Sequence, residues 1–192
     1  MKFVSSKVIK LDRELSDLDL LTLDFLKILQ KYTNYVIVSG YVSILLGRAR
    51  VSEDIDVIVP KIDFPRFSKF LEELKKKGFY CLNAEKDAGI YEYIQDNLAV
   101  RFAKKKTVIP NIELKFAKNK FDDIALDKTI TVNLGKEELI VSHLELQIAF
   151  KEIVLKSPKD IEDARHIRNI AEGYLDKALI KKYERALNDF YR

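Results

Sequence analysis

At 192 residues, with 47% hydrophobic and 33% charged residues, the chain can bury a real core as one medium domain, which excludes a disordered segment or two large independent domains. Its net charge of +4, from 34 Lys and Arg against 30 Asp and Glu, permits contact with nucleotide phosphates or nucleic acid without demanding it. One cysteine, Cys81, and two histidines exclude an internal disulfide framework and argue against structural zinc, so any metal is expected on carboxylates. The first residues lack the apolar core of a signal peptide, and no stretch reaches the roughly 20 apolar residues of a membrane span, so a cytoplasmic location is expected.

In chain order, Leu18, Leu21, Phe25, Ile28, Leu29 and Tyr32 recur at helical spacing, with Ser16 or Asp17 as cap. Tyr35 to Val38 is rich in β-branched residues and reads as a buried strand, broken at Ser39-Gly40. Val42, Leu45 and Leu46 suit a short buried helix that Gly47 ends, and a second strand follows from Ile55 to Val59. Asp63 is expected to cap a helix over 64–77 with Phe67, Phe70, Leu71 and Leu74 on its apolar face and Gly78 as its stop; Lys75, Lys76 and Lys77 read as solvated. From Phe79 to Leu139 the pattern predicts strands at FYCL, GIYEYI, LAVRFA, VIPNIELKF and ITVNL. Ser142 and Glu145 have the spacing of a capping box and open a helix carrying Leu146, Ile148, Ala149, Ile153 and Val154. Ser157-Pro158 launches another helix, which Gly173 stops, and a last helix runs over 175–191. The expected organisation is a core over 1–141 and a helical segment over 142–192 packed on it as one compact unit.

The chemistry concentrates at Asp54 and Asp56. In a strand, residues two apart put both side chains on one face, about 6 to 7 Å apart along the chain, where carboxylates can grip one or two magnesium ions. With 16 aspartates in the chain, roughly one Asp-x-Asp is expected by chance, and Asp17 with Asp19 is a second instance. That second pair sits at a helix start, where negative charge complements the helix dipole. Asp54 and Asp56 instead lead into an apolar strand, fifteen residues after a Ser-Gly turn that ends a companion strand.

The string SGYVSILLGRARVSEDIDVIV resembles the nucleotidyltransferase motif of the DNA polymerase β superfamily: a glycine turn, a short helix, then Asp-x-Asp. More narrowly it resembles the branch that includes AbiEii-type toxins and related prokaryotic nucleotidyltransferases, in which a glycine, an arginine and a hydroxyl residue precede the acids, as Gly47, Arg50 and Ser52 do here. SHLELQIAFKEIVLKSPKDIEDARHI resembles the helical segment of that branch, with a lysine and a KDxxD-like run. Two departures stand out: the turn reads Ser39-Gly40 where the family has Gly first, and the third carboxylate, commonly Asp, falls on Glu113 of NIELKF.

The resemblance implies an α+β fold, with a nucleotidyltransferase-like mixed β-sheet, helices on one face and a C-terminal helical segment. It implies a magnesium- or manganese-dependent transfer of a nucleoside monophosphate from ATP or another nucleoside triphosphate to an acceptor hydroxyl of RNA (such as tRNA), a protein or a small molecule. Asp54, Asp56 and Glu113 are the implied metal ligands and catalytic acids, with Lys151 beside them. Ser39, Gly40, Arg48, Arg50 and Ser52 are the implied nucleotide contacts, with Asp160 and Asp163 orienting Lys151 or Arg165. Without the resemblance, Lys151 reads equally as a solvated lysine, Arg48 and Arg50 as a surface loop, and Glu113 as an exposed acid of a half-buried strand. His143 and His166 read as ordinary helix residues, and Tyr91 and Tyr93, alternating on a strand, as packing. A toxin–antitoxin arrangement implies an antitoxin-like partner. The other reading is an inactive module of the same fold that binds nucleotide or a macromolecule.

Overall fold

The first two strands, β1 (Lys2–Ser5) and β2 (Val8–Leu11), form a hairpin that precedes every element anticipated from the sequence. Helix α1 (Asp17–Leu29) starts at a complete capping box, in which Ser16 Oγ accepts the Asp19 N–H and the Asp19 carboxylate accepts the Ser16 N–H at 2.7 Å. The acidic pair at Asp17 and Asp19 therefore serves the helix start. β3 (Val36–Val38), α2 (Gly40–Leu45), β4 (Asp54–Val59) and α3 (Phe64–Lys76) follow, with Asp63 Oδ1 capping α3 through the Arg66 N–H. Then come β5 (Phe79–Cys81), α4 (Asp87–Gln95), β6 (Val100–Lys104), β7 (Asn111–Phe116), α5 (Lys120–Asp127), β8 (Thr129–Leu134) and β9 (Glu137–Ser142). The C-terminal helices are α6 (Leu144–Phe150), continued by a π-helical turn at Lys151–Leu155, α7 (Pro158–Ile170) and α8 (Lys177–Phe190). The structure, a computed structural model, describes residues 1–192, and no helix in it is long and apolar enough to cross a membrane.

The chain divides into two compact units, each assembled from discontinuous segments: residues 1–13, 38–51 and 128–192 form unit 1, and residues 14–37 and 52–127 form unit 2. In unit 2 the strand order runs β3-β4-β7-β6-β5, with β4 and β7 parallel and β6 antiparallel to both its neighbours. Alternation divides β4 and β7 between two faces. Ile55, Val57 and Val59 join Ile112, Leu114 and Phe116 in the core, all at most 2% exposed, which leaves Asp54 and Asp56 with Asn111, Glu113 and Lys115 on the other face. The core is aromatic: the Phe25 ring meets Phe70 and Phe79 edge-on at 5.6 and 5.5 Å, the arrangement that ring quadrupoles favour.

In unit 1 the order is β1-β2-β8-β9, with β2 and β8 parallel and β8 and β9 antiparallel. The sheet pairing is thus mixed, as the resemblance implies. Helices α6, α7 and α8 bury Leu146, Ile148, Ala164, Ile167, Ile180 and Leu187. His143, at the N-cap of α6, is held from both sides. Its Nδ1 lies 3.0 Å from the Lys128 carbonyl and Nε2 lies 3.1 Å from the Tyr183 hydroxyl, so Nδ1–H donates and Nε2 accepts from Tyr183. Burial holds the His143 pKa below the ordinary histidine value of 6.5. Below that pH the unfolded chain binds a proton that the folded chain refuses, so this contribution to stability is complete above about 6.5 and is lost as pH falls from there through the lowered folded value. Urea melts at pH 5 and 7.5 should show a smaller acid-side loss for His143→Gln than for the parent chain.

Two sequence expectations require correction. GIYEYI is not a strand: it belongs to α4, where Ile90 and Ile94, four apart, are the buried pair and Tyr91 packs on Phe67 and Phe116. Ile-Tyr-Glu-Tyr-Ile satisfies both the two-residue and the four-residue period, and packing decides for the helix. Ser142 does not cap α6. It ends β9, and His143 occupies the cap without a side-chain bond to a helix N–H.

Candidate active site

The acidic face of unit 2 is set by strand register. β4 and β7 pair in parallel with Asp54 opposite Asn111 and Asp56 opposite Glu113, while β6 places Arg101 opposite Glu113. Three carboxylates and two cations therefore share one face. Lys115, two residues after Glu113, lays its Nζ between two acids, 2.8 Å from Asp56 Oδ1 and 3.0 Å from Glu113 Oε1. Arg101 Nε reaches Glu113 Oε2 at 3.3 Å. Asp54 instead accepts from the Ser52 hydroxyl, which lies 3.0 Å from its carbonyl oxygen and 3.4 Å from Oδ1.

Burial raises the Asp56 pKa above the ordinary aspartate value, with Glu113 and Asp54 adding to the rise and Lys115 opposing it. For Lys115 burial works against the charged form, yet Asp56 and Glu113 outweigh it and hold the ammonium above the ordinary lysine value. Lys115 thus favours the charged form of Asp56, and Asp56 with Glu113 favours the charged form of Lys115. Divalent magnesium or manganese suits the face by donor type, since the carboxylates are hard oxygen ligands, and by charge, since a cationic group already lies between Asp56 and Glu113. The three acids are not drawn into one ligand cage: no group of three or more His, Cys, Asp or Glu side chains is gathered to hold an ion.

The other residues of the motif lie in unit 1, in a second charge cluster. Asp163, with its side chain 0% exposed, receives Lys151 Nζ at 3.0 Å and Arg50 Nη1 at 2.5 Å on Oδ2. Arg48 Nε faces Asp163 Oδ1 at 3.6 Å, an ion-pair separation too long for a hydrogen bond, and the Arg48 guanidinium also pairs with Glu162. Lys151 is 1% exposed, sits at the start of the π-helical turn and also reaches Asp160 Oδ1 at 3.4 Å. Asp160 and Asp163 thus meet Lys151, and Arg48 and Arg50 are occupied by acids of α7.

This cluster shapes the Ser39-Gly40 turn. The Arg50 guanidinium lies against Gly40 so closely that an added Cβ would stand 3.1 Å from its Nη2. The Ser39 N–H donates to Gln147 Oε1 of α6 at 3.1 Å. Ser39 itself has φ 66° and ψ −135°, a backbone region open to glycine and strained for other residues. Ser39→Gly is therefore expected to raise stability by about 1 kcal/mol, the relieved strain exceeding the added freedom of the unfolded chain; a urea melt measures it.

Sequence reasoning missed Lys115, Arg101, Gln147 and Glu162. A signal existed for Lys115, because Asn111, Glu113 and Lys115 alternate with apolar residues in NIELKF. Nothing in the sequence joins Gln147 to Ser39, 108 residues away.

No family model and no curated protein matches the chain. Solved structures do. A crystal structure of an antigenic nucleotidyltransferase-like protein from Paracoccidioides brasiliensis superposes with a TM-score of 0.55 at 16% identity, covering 90% of this chain and 88% of that one. ANT(2")-Ia, crystallised with adenylyl-2"-tobramycin, gives 0.57 at 13% identity over 90% of this chain and 97% of its own. The solution structure of antibiotic-resistance factor ANT(2'')-Ia gives 0.51 at 14% identity, covering 92% and 95%. The chain has a nucleotidyltransferase-like fold.

Proposed function

We propose that the chain is a divalent-metal-dependent nucleotidyltransferase that moves a nucleoside monophosphate from a nucleoside triphosphate to an acceptor hydroxyl on RNA, a protein or a small molecule. The observation that carries this reading is the register that puts Asp54, Asp56 and Glu113 on one face of adjacent strands in a nucleotidyltransferase-like fold. The acceptor oxygen attacks the α-phosphorus and pyrophosphate leaves in line, chemistry that asks the protein for positioning and charge neutralisation more than for covalent steps. Asp54, Asp56 and Glu113 would hold magnesium or manganese, which when bound supplies Lewis-acid polarisation of phosphate oxygens. Glu113 would take the acceptor's proton, and Arg101 and Lys115 would offset charge on the face.

The roles of Ser39 and Gly40 toward the triphosphate rest on the motif. Arg50, Lys151 and Asp163 support them by holding that turn in shape, and Ser52 by orienting Asp54. The antitoxin-like partner belongs to the same motif-based reading.

The second reading, a nucleotide- or partner-binding module without turnover, is favoured by the Lys115 ammonium already neutralising Asp56 and Glu113. Calorimetric titration with a non-hydrolysable triphosphate separates the two. The enzyme reading expects affinity that depends on magnesium, and equal affinity with and without the metal sinks it.

A further inference from the structure

We propose that the Lys115 ammonium is the resident cation of the acidic face, so that a divalent ion binds there only by displacing it, and the displaced ammonium is received by the triphosphate that arrives with the metal. The inference rests on the nucleotidyl-transfer reading and adds a positioning residue to it. Lys115 Nζ stands 2.8 Å from Asp56 Oδ1 and 3.0 Å from Glu113 Oε1. A magnesium ion bound at about 2.1 Å from those same oxygens would overlap the ammonium and repel it. The two cations exclude one another.

The geometry also gives Lys115 a way out. Its backbone is fixed opposite Ile58 in the parallel ladder, but its side chain is 36% exposed and carries a charge on a flexible four-carbon stem. The ammonium can leave without disturbing the strand. Asp54 remains available as a ligand because Ser52, and not a cation, engages it, and Arg101 stays with Glu113. Withdrawal alone leaves the ammonium without the two carboxylates that hold it. A metal without nucleotide therefore binds weakly, whereas a metal–triphosphate complex brings both the replacement cation and an anion for Lys115.

The test is Mn2+ binding, read by the electron paramagnetic resonance of the free ion, for the parent chain and for Lys115→Met, which keeps the stem and removes the charge. The expected result is at least ten-fold tighter Mn2+ binding by Lys115→Met without nucleotide, with the gap narrowed by a non-hydrolysable triphosphate. Equal, measurable affinity in both proteins overturns the displacement proposal and leaves the metal reading standing. Absence of Mn2+ binding in both overturns the two together. A measurement on the parent chain alone covers the event that the variant does not fold: amine labelling of Lys115, followed by mass spectrometry, should rise several-fold when Mn2+ is added without nucleotide. Unchanged labelling at an Mn2+ concentration that saturates the site overturns the proposal.

Discussion

Asp54→Asn and Asp56→Asn should each lower magnesium-dependent transfer by about a thousand-fold or more while the folded state persists. The size follows from the several kcal/mol that a metal contributes by stabilising transition-state charge, each 1.36 kcal/mol being about ten-fold in rate. Survival of the fold follows from the electrostatics of the face. Asp54, Asp56 and Glu113 are three like charges against Lys115 and Arg101, so one carboxylate fewer reduces repulsion, and asparagine keeps the shape. Asp54 is the cleaner of the two positions, because its Asn replacement still accepts from Ser52 and leaves the Lys115 pair intact. Circular dichroism and transfer assays on the same preparations check the prediction. Full activity in either variant would remove that residue from the metal site.

The largest effect on stability is expected from unit 1. Asp163 is the shared counter-ion of Lys151 and Arg50, with both its own side chain and that of Lys151 shut off from water. Removing one partner of a buried pair leaves the other charge uncompensated and is destabilising by about 3–5 kcal/mol. Asp163→Asn should accordingly lower Tm by roughly 10 °C in a chain of this size. Lys151→Met should lower it less, because Asp163 then keeps Arg50 at 2.5 Å and Arg48 nearby. The order of the two variants in thermal melts is the diagnostic, and a larger loss from Lys151→Met would mean that Asp163 is not the hub of the cluster.

Some of this was legible in the sequence for local reasons. The cap at Ser16, the Asp63 cap and the two-residue alternation around Asp54 and Asp56 are encoded within a few residues of one another. Other parts were not, for equally physical reasons. β1 and β2 are short and interleaved with lysine, so no run announces them. The α4 segment fits both periods, and only its packing on Phe67 and Phe116 resolves it. The position of Lys115 between two acids depends on the β4–β7 register, and the pairing of Arg50 with Asp163 joins residues 113 apart. Neither follows from composition or spacing. The motif named Asp54, Asp56 and Glu113 of one cluster and Arg48, Arg50, Lys151, Asp160 and Asp163 of the other, without showing that Arg48, Arg50 and Lys151 are committed to the carboxylates of α7.

Label transfer tests nucleotidyl transfer from the face built on Asp54, Asp56 and Glu113. The chain is incubated with magnesium, each α-labelled nucleoside triphosphate in turn and a cell extract, beside a parallel Asp56→Asn reaction, and the label is traced into RNA, protein and small molecules. Incorporation into one acceptor class with release of pyrophosphate is expected, and none from Asp56→Asn. Label in no fraction, or equal label from Asp56→Asn, would contradict transfer from this face.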